Sequence, residues 1–385
     1  MTGAMGLEFE YVHGDVAIDD QTFPNVGVRY KGNGTYMQGQ TAGKLSFKLQ
    51  LDRFDKGQRL GRITTLNLHS NISDATFMNE ALAYLLYRDA GVAAPRTSYA
   101  RVYVTVTGQQ QNKYLGLYSV VENPDEAFFE AHGLPGNGAI FKPVTRSLFS
   151  DAGPDWAAYN QAYDPKTKLT DAQKQRVIDL ARLVTSADDG TFVREIGSYV
   201  DLDAAARYLA VCVFLVDLDG LLSTGQNYYM YLNSTTNRFS FAPWDQDRSW
   251  GQFFVGGTQQ QREELDILHP WLGENRFLAR LFGVEAFRKP YLARMREYSA
   301  SIFDPARVAR QVDELARAIR AAVSDESPAA LVRFDRAVGG ESLPPILFNG
   351  RPFGAPNPIV PIKGFVPARA RAVKTQLVRI EGGTE

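Results

Sequence analysis

Alternation of apolar and polar positions runs through the first third of the chain, and helical spacing takes over after it. Val26-Gly27-Val28-Arg29-Tyr30 alternates, Lys31 to Tyr36 reads as a glycine-rich turn, and Lys44 to Leu51 alternates again. In that second strand Phe47, Leu49 and Leu51 share one face, while Lys44, Ser46, Lys48 and Gln50 share the other. Leu66-Asn67-Leu68 reads as another strand, and Ala100 to Val106 with Tyr114 to Asn123 reads as a hairpin across Gly108 to Lys113. Between them Phe77, Leu82, Leu85 and Leu86 fall at helical spacing, so a helix is expected from Phe77 to Ala90, stopped by Gly91. Ile140-Phe141-Lys142 is a further short strand.

Later, helical patterns cover 171–186, 276–282, 285–301 and 305–323. Leu202 to Val216 is apolar almost all round, which predicts a buried central helix. Residues 324–357, rich in Pro, Gly and charge, read as a surface excursion. The pattern is that of an α+β chain, β-rich over 7–143 and mainly helical over 144–385.

The central helix delivers the most informative stretch, DLDGLLSTGQNYYMYLNSTTNRFSFAPWDQDRSWG at 217–251. YYMYL and RFSFAPW are two strands around a turn at Asn233 to Asn237. Once that hairpin closes, Asp219 and Asn227 at its start lie beside Asp245 and Asp247 at its end. Carboxylates and an amide so gathered suit a hard, oxygen-seeking divalent cation over a phosphate chain. Solvated turn aspartates are the commoner outcome for Asp-rich turns, but tryptophan, proline and glycine packed around these acids favour a built site.

Composition narrows the classes. The 385 residues are 44% hydrophobic and 22% charged, an ordinary globular balance with a sizeable core. A net charge of −1 gives no basic field for nucleic acid or an anionic membrane. The single cysteine, Cys212, lies in the apolar run YLAVCVFLV and reads as a buried structural thiol. No 18-residue apolar stretch is present, so no membrane span is expected. The histidines, His13, His69, His132 and His269, are scattered, so a histidine-based site is not expected. The opening MTGAMG, residues 1–6, reads as a tag remnant, and a signal peptide ahead of it would mean export or the cell surface; otherwise the cytoplasm is expected.

These motifs resemble the bacterial spore-coat protein H (CotH) kinase family over about residues 26 to 320. Members read approximately as Asp, a short loop, His-Asn-Tyr-Tyr-Leu-Tyr, then Pro-Trp-Asp-x-Asp-x-x-x-Gly. This chain has Asp219, Gln226-Asn227-Tyr228-Tyr229-Met230-Tyr231 and Pro243-Trp244-Asp245-Gln246-Asp247 through Gly251, with Gln226 where the family has histidine. The resemblance implies an atypical protein-kinase-like two-lobed fold. It also implies ATP with Mg2+ or Mn2+ and phosphorylation of Ser/Thr hydroxyls on a protein substrate. On that likeness Asp245, Asn227 and Asp247 hold the metal, and Asp219 accepts or orients the hydroxyl, with Asp217 competing for that role. Lys44 or Lys48 clamps the phosphates beside the Gly32 and Gly34 turn. Glu80 pairs with that lysine, and Val121 and Glu122 form the hinge against the adenine edge. Lys142 either approaches the bound nucleotide or faces solvent, with solvent favoured. Arg248 either pairs with Asp245 or Asp247 or contacts the transition state. Two other functions share these features: a different nucleotide-dependent transfer (nucleotidyl or glutamyl), or a non-catalytic coat-assembly scaffold.

Overall fold

The computed structural model describes residues 8–32, 34–345, 347–348, 351–352 and 358–383. The expected tag remnant at 1–6 and Asn33 of the glycine turn lie outside them. Strands β1 (Val12–Ile18), β2 (Gln21–Lys31), β3 (Ser46–Gln50), β4 (Thr65–His69), β5 (Thr97–Val106) and β6 (Gln110–Glu122) form one antiparallel sheet in the order β1-β2-β3-β4-β6-β5. Period-two patterning gives it two unlike faces. Val26, Leu49, Leu66 and Leu68 cluster on one side with Phe23, Leu51 and Tyr118. On the other side Arg29 pairs directly opposite Lys48, and Lys48 opposite Asn67. That polar face carries the functional interest.

Two helices accompany the sheet. The first, α1 (Gly34–Ala42), stands where a turn was expected. Its sequence GTYMQGQTA has no apolar stripe to announce it. The second, α2 (Asn79–Asp89), is the expected amphipathic helix, started when Asp74 accepts from the Asn79 N–H at 2.7 Å. Phe77 stays outside it at φ 60°.

The helical half follows: α3 (Glu126–Ala131), β7 (Ala139–Phe141), α4 (Ala157–Tyr163), α5 (Asp171–Ser186), α6 (Asp189–Tyr199), α7 (Leu202–Leu215), β8 (Tyr228–Leu232), β9 (Phe239–Pro243), α8 (Gln259–Glu263), α9 (Arg276–Phe282), α10 (Glu285–Ala300), α11 (Pro305–Ser324), α12 (Pro328–Val338) and α13 (Ile362–Glu381). Strand β7 pairs with β8 in a separate sheet, β7-β8-β9, so the large sheet ends at Glu122. As its composition dictates, α7 is buried from Tyr208 to Leu215 and forms the centre of the main core. Its last carbonyls are closed by Arg369 of α13, which is fully buried and donates to Val213 O at 2.9 Å. The expected excursion at 324–357 instead opens with α12, which buries Phe334 and Ala337; residues 346, 349–350 and 353–357 lie outside the described set. No described helix is long and apolar enough to cross a membrane.

Candidate functional site

Val216 ends α7 in the left-handed conformation at φ 50°, and the Asp217 N–H returns to the Cys212 carbonyl. Asp217 is thereby buried, and its carboxylate accepts from Gln246 Nε2 at 2.9 Å. Asp219 accepts from Gln226 Nε2 at 3.2 Å, and its backbone carbonyl accepts from Asn227 Nδ2 at 3.0 Å. Gln226 thus keeps a donor on Asp219. Asn227 is left-handed at φ 59°, a region asparagine enters more readily than most residues. The hairpin closes with Tyr228 opposite Pro243 and the Trp244 N–H donating to the Asn227 carbonyl. Asp245, at φ 54°, leads into a 3-10 turn at Gln246–Arg248. Asp219 and Asn227 are thereby joined to each other, and the hairpin sets Asn227 against Trp244, the residue before Asp245.

Acids gathered out of water raise one another's pKa. Burial and then the charge of Asp245 push the Asp219 carboxyl up to about 7. Burial pushes Asp217 up to about 6, against the hydrogen bond from Gln246, with Asp245 adding to the rise. Asp247 moves well above the carboxylate range through burial and then Asp245. Among the described residues, the Asp245 carboxylate takes no hydrogen bond, its contact to Tyr84 being through its backbone, and Asn227 uses only its Nδ2. Mutually repelling carboxylates beside an unused amide oxygen are the donor set a hard divalent cation takes.

Helix α2 holds this turn. Asn79 Nδ2 donates to the Asp247 carbonyl at 2.8 Å and to Gln252 Oε1 at 2.9 Å, and Trp250 Nε1 donates to the Asn79 carbonyl at 3.0 Å. Tyr84 Oη accepts from the Asp245 N–H at 2.9 Å and donates to Glu80 Oε1 at 3.0 Å. Arg248 donates to Ser73 Oγ at 3.1 Å.

Across Trp244 lies a cavity of about 510 Å³, within the range of small-molecule sites. Arg29, Lys31 and Lys48 of the large sheet line it, with Lys142 just after β7 and Lys166 beyond. Burial lowers the Lys31 pKa to about 7, against the attraction of Asp245 and Glu80. It lowers Lys48 to about 8, helped by Arg29 and Lys142. Lys142 is lowered too, chiefly by burial. Lys142 takes the less favoured of its two expected places and faces inward, and its ammonium and that of Lys31 both lie over the Trp244 indole, at 5.6 and 5.0 Å.

Several expected site residues fall elsewhere. Lys44 precedes β3 and turns away from the cavity to pair with Glu326 at 2.6 Å while donating to the Leu117 carbonyl at 2.9 Å. Glu80 meets neither Lys44 nor Lys48; it accepts from His69 Nδ1 at 2.5 Å, and Lys31 donates to the far nitrogen of that ring. Val121 pairs with Asn67 on one side and Thr97 on the other, and Glu122 pairs with Leu66 while its N–H donates to the Arg96 carbonyl at 3.0 Å, so sheet pairing engages the backbone of both. The next residues, Asn123 to Ala127, line the cavity instead. Gly32, at φ 89°, has Thr35 Oγ1 where a Cβ would sit, so glycine is required; Gly34 opens α1 with space around it. Sequence reasoning passed over Lys31, His69 and Tyr84. For the first two the signal was present: Lys31 lies two residues from Arg29, and His69 two from Asn67, each on the polar face.

Lys44→Ala is accordingly expected to lower stability by about 2 kcal/mol, because Glu326 loses its ammonium partner in a largely buried position and keeps only the Leu117 N–H. Denaturant unfolding of the variant beside the wild type checks it.

Fold and site together define a class: an α+β chain with a curled antiparallel sheet whose cationic face meets an acid-ended hairpin. The family model described as CotH kinase protein matches residues 28–330, and the chain belongs to that family. It is 28% identical over 243 residues to the inner spore coat protein H of Bacillus subtilis (strain 168), covering 62% of this chain and 63% of that protein. The matched stretch thus spans less than two thirds of that relative's length.

Proposed function

We propose that this chain transfers the γ-phosphoryl group of ATP to a Ser or Thr hydroxyl of a protein, on a two-lobed kinase-like fold with the cavity as nucleotide site. One observation carries the reading. Lys31, Lys48 and Lys142 line the cavity with no ion pair among the described residues, beside an Asp245 carboxylate that is equally unpaired. Arg29 directly opposite Lys48 is a like-charge pair, destabilising unless an anion lies between them. A metal-chelated polyphosphate supplies both missing partners.

Asp245, Asn227 and Asp247 would hold the divalent cation, which when bound neutralises charge on the phosphates. Lys31, Lys48 and Lys142 bind phosphate oxygens, and the backbone near Asn123 receives the base. Asp219 accepts the acceptor's hydroxyl proton, held by Gln226 and Asn227, while buried Asp217 orders the loop. The relative's printed role, an inner spore coat protein, makes a coat protein our candidate substrate and the coat our candidate location.

ATP with Mg2+ or Mn2+ is expected to raise Tm, by mass action worth about 2.7 kcal/mol at a hundredfold excess over Kd. Labelled phosphate should pass to a Ser/Thr-rich acceptor; a Tm shift without transfer would reduce the protein to a nucleotide-binding scaffold. The pH dependence follows from Asp219. A base must be deprotonated and the phosphate-binding lysines charged, so kcat/KM, which reports the free enzyme, should follow a bell, with an acid limb from Asp219 at about 7 and a basic limb from Lys31 and Lys48 at about 7 and 8. Asp219→Asn should abolish that acid limb along with most of the rate, and a limb persisting in this variant would exclude Asp219 as the base.

A further inference from the structure

Four elements, β2, β4, α2 and the turn at Asp245, are joined by one file of hydrogen bonds. Lys31, at the end of β2, donates to His69 Nε2 at the end of β4. His69 Nδ1 donates to Glu80 Oε2 of α2 at 2.5 Å, Tyr84 Oη donates to Glu80 Oε1 at 3.0 Å, and the Asp245 N–H donates to Tyr84 Oη at 2.9 Å. The chemistry of the ends fixes the middle. Glu80 offers only acceptors and an ammonium only donors, so a neutral imidazole protonated on Nδ1 satisfies both neighbours at once. Glu80 is 2% exposed and His69 6%, so neither can turn to water for a partner. The ring is also held edge-on to Trp244, with centroids 5.7 Å apart, beside the cavity wall.

We infer that His69 is a positioning residue that links Glu80 to Lys31 in place of a direct lysine–glutamate ion pair, and so ties the phosphate-binding ammonium to the turn that carries Asp245. The inference rests on the nucleotide reading of the cavity for its purpose, but the linkage itself is a property of the chain alone. A neutral bridge has a consequence that a direct pair lacks. Glu80 orients the ammonium without quenching its charge at close range, leaving Lys31 available to a triphosphate. The donor atoms of His69, Glu80 and Asp245 also lie within 4.8 Å of one another, which makes a cation seated among them the competing assignment. Lys31 already brings a positive charge to that place.

Only four histidines are present, so imidazole 15N resonances are assignable, with His69→Gln identifying its own. The expected spectrum of the ligand-free protein has His69 protonated on Nδ1, with an Nε2 shift that moves in Lys31→Met. An Nε2–H tautomer, or an Nε2 signal indifferent to Lys31→Met, overturns the inference whatever the protein's activity. A cation held by His69 itself would appear as a 113Cd–15N coupling on its ring nitrogen when Cd2+ is added alone, and would likewise overturn it. The second arm is a double-mutant cycle on the Kd of ATP with Mg2+. His69→Ala should weaken binding about tenfold, the scale of misplacing one charge-assisted contact, and should have almost no further effect in a Lys31→Met background. Additive losses would mean that His69 merely fills space, and His69→Gln, which can bridge the same two groups, should recover much of the affinity. If wild type binds no ATP the nucleotide reading fails, and the NMR arm still decides the linkage.

Discussion

Asp245→Ala is expected to lose phosphoryl transfer by at least about a thousandfold, the scale of removing electrostatic stabilisation from a reacting phosphate. The protein should remain folded, because no described residue hydrogen-bonds to that carboxylate, and its backbone N–H still reaches Tyr84. Alanine does meet strain at φ 54°, a region that costs a non-glycine residue about 1–2 kcal/mol. Asp245→Asn is the sharper variant, since asparagine tolerates the left-handed region and keeps the side chain's shape while removing its charge. Equal losses in the two variants would assign the effect to charge. Activity retained in the asparagine variant alone would assign it to strain. Steady-state transfer rates beside denaturant midpoints separate these outcomes.

Lys31→Met should lower kcat/KM for ATP about a hundredfold and at the same time stabilise the ligand-free protein. The second effect follows from the sign of its shift. Burial depresses the lysine from 10.5 to about 7, so between those pH values the unfolded chain binds the proton that the folded chain refuses. Stability of the wild type therefore rises with pH across that window, and the penalty is fully present below about 7. Methionine, of similar length and uncharged, should raise the unfolding free energy at pH 7 and flatten the slope between pH 7 and 10.5. Urea denaturation at several pH values reads both. An unchanged slope would mean that the ammonium is not desolvated as the fold implies. Such a gain in stability at the expense of function is what a site residue gives and a structural one does not.

Much of this was written in local patterning. The period-two strands at 26–30 and 44–51, the helix after Asp74 and the apolar helix ending at Asp217 each declare themselves within a few residues. The hairpin's register sets Asn227 opposite Trp244, next to Asp245. What escaped depends on distance in sequence. Nothing near Lys44 announces Glu326, and only their pairing removes Lys44 from the cavity. Placing Lys31 beside Lys48 in the cavity required knowing that β2, β4 and α2 converge, since His69 and Glu80 define its place. Lys142 looked like a solvent-facing strand end until β7 paired with β8 and brought it over Trp244. Helix α1 lacked a stripe to be seen by, and α12 lay within a stretch whose Pro and Gly content argued for a loop.

The most direct test is intact-mass analysis of a Ser/Thr-rich acceptor, and of the protein itself, after incubation with ATP and Mg2+ or Mn2+, wild type beside Asp245→Asn. Phosphotransfer predicts a gain of one or more phosphate masses that is absent from the variant. A nucleotide-sized or glutamate-sized gain, or no gain despite metal-dependent ATP binding, would contradict it.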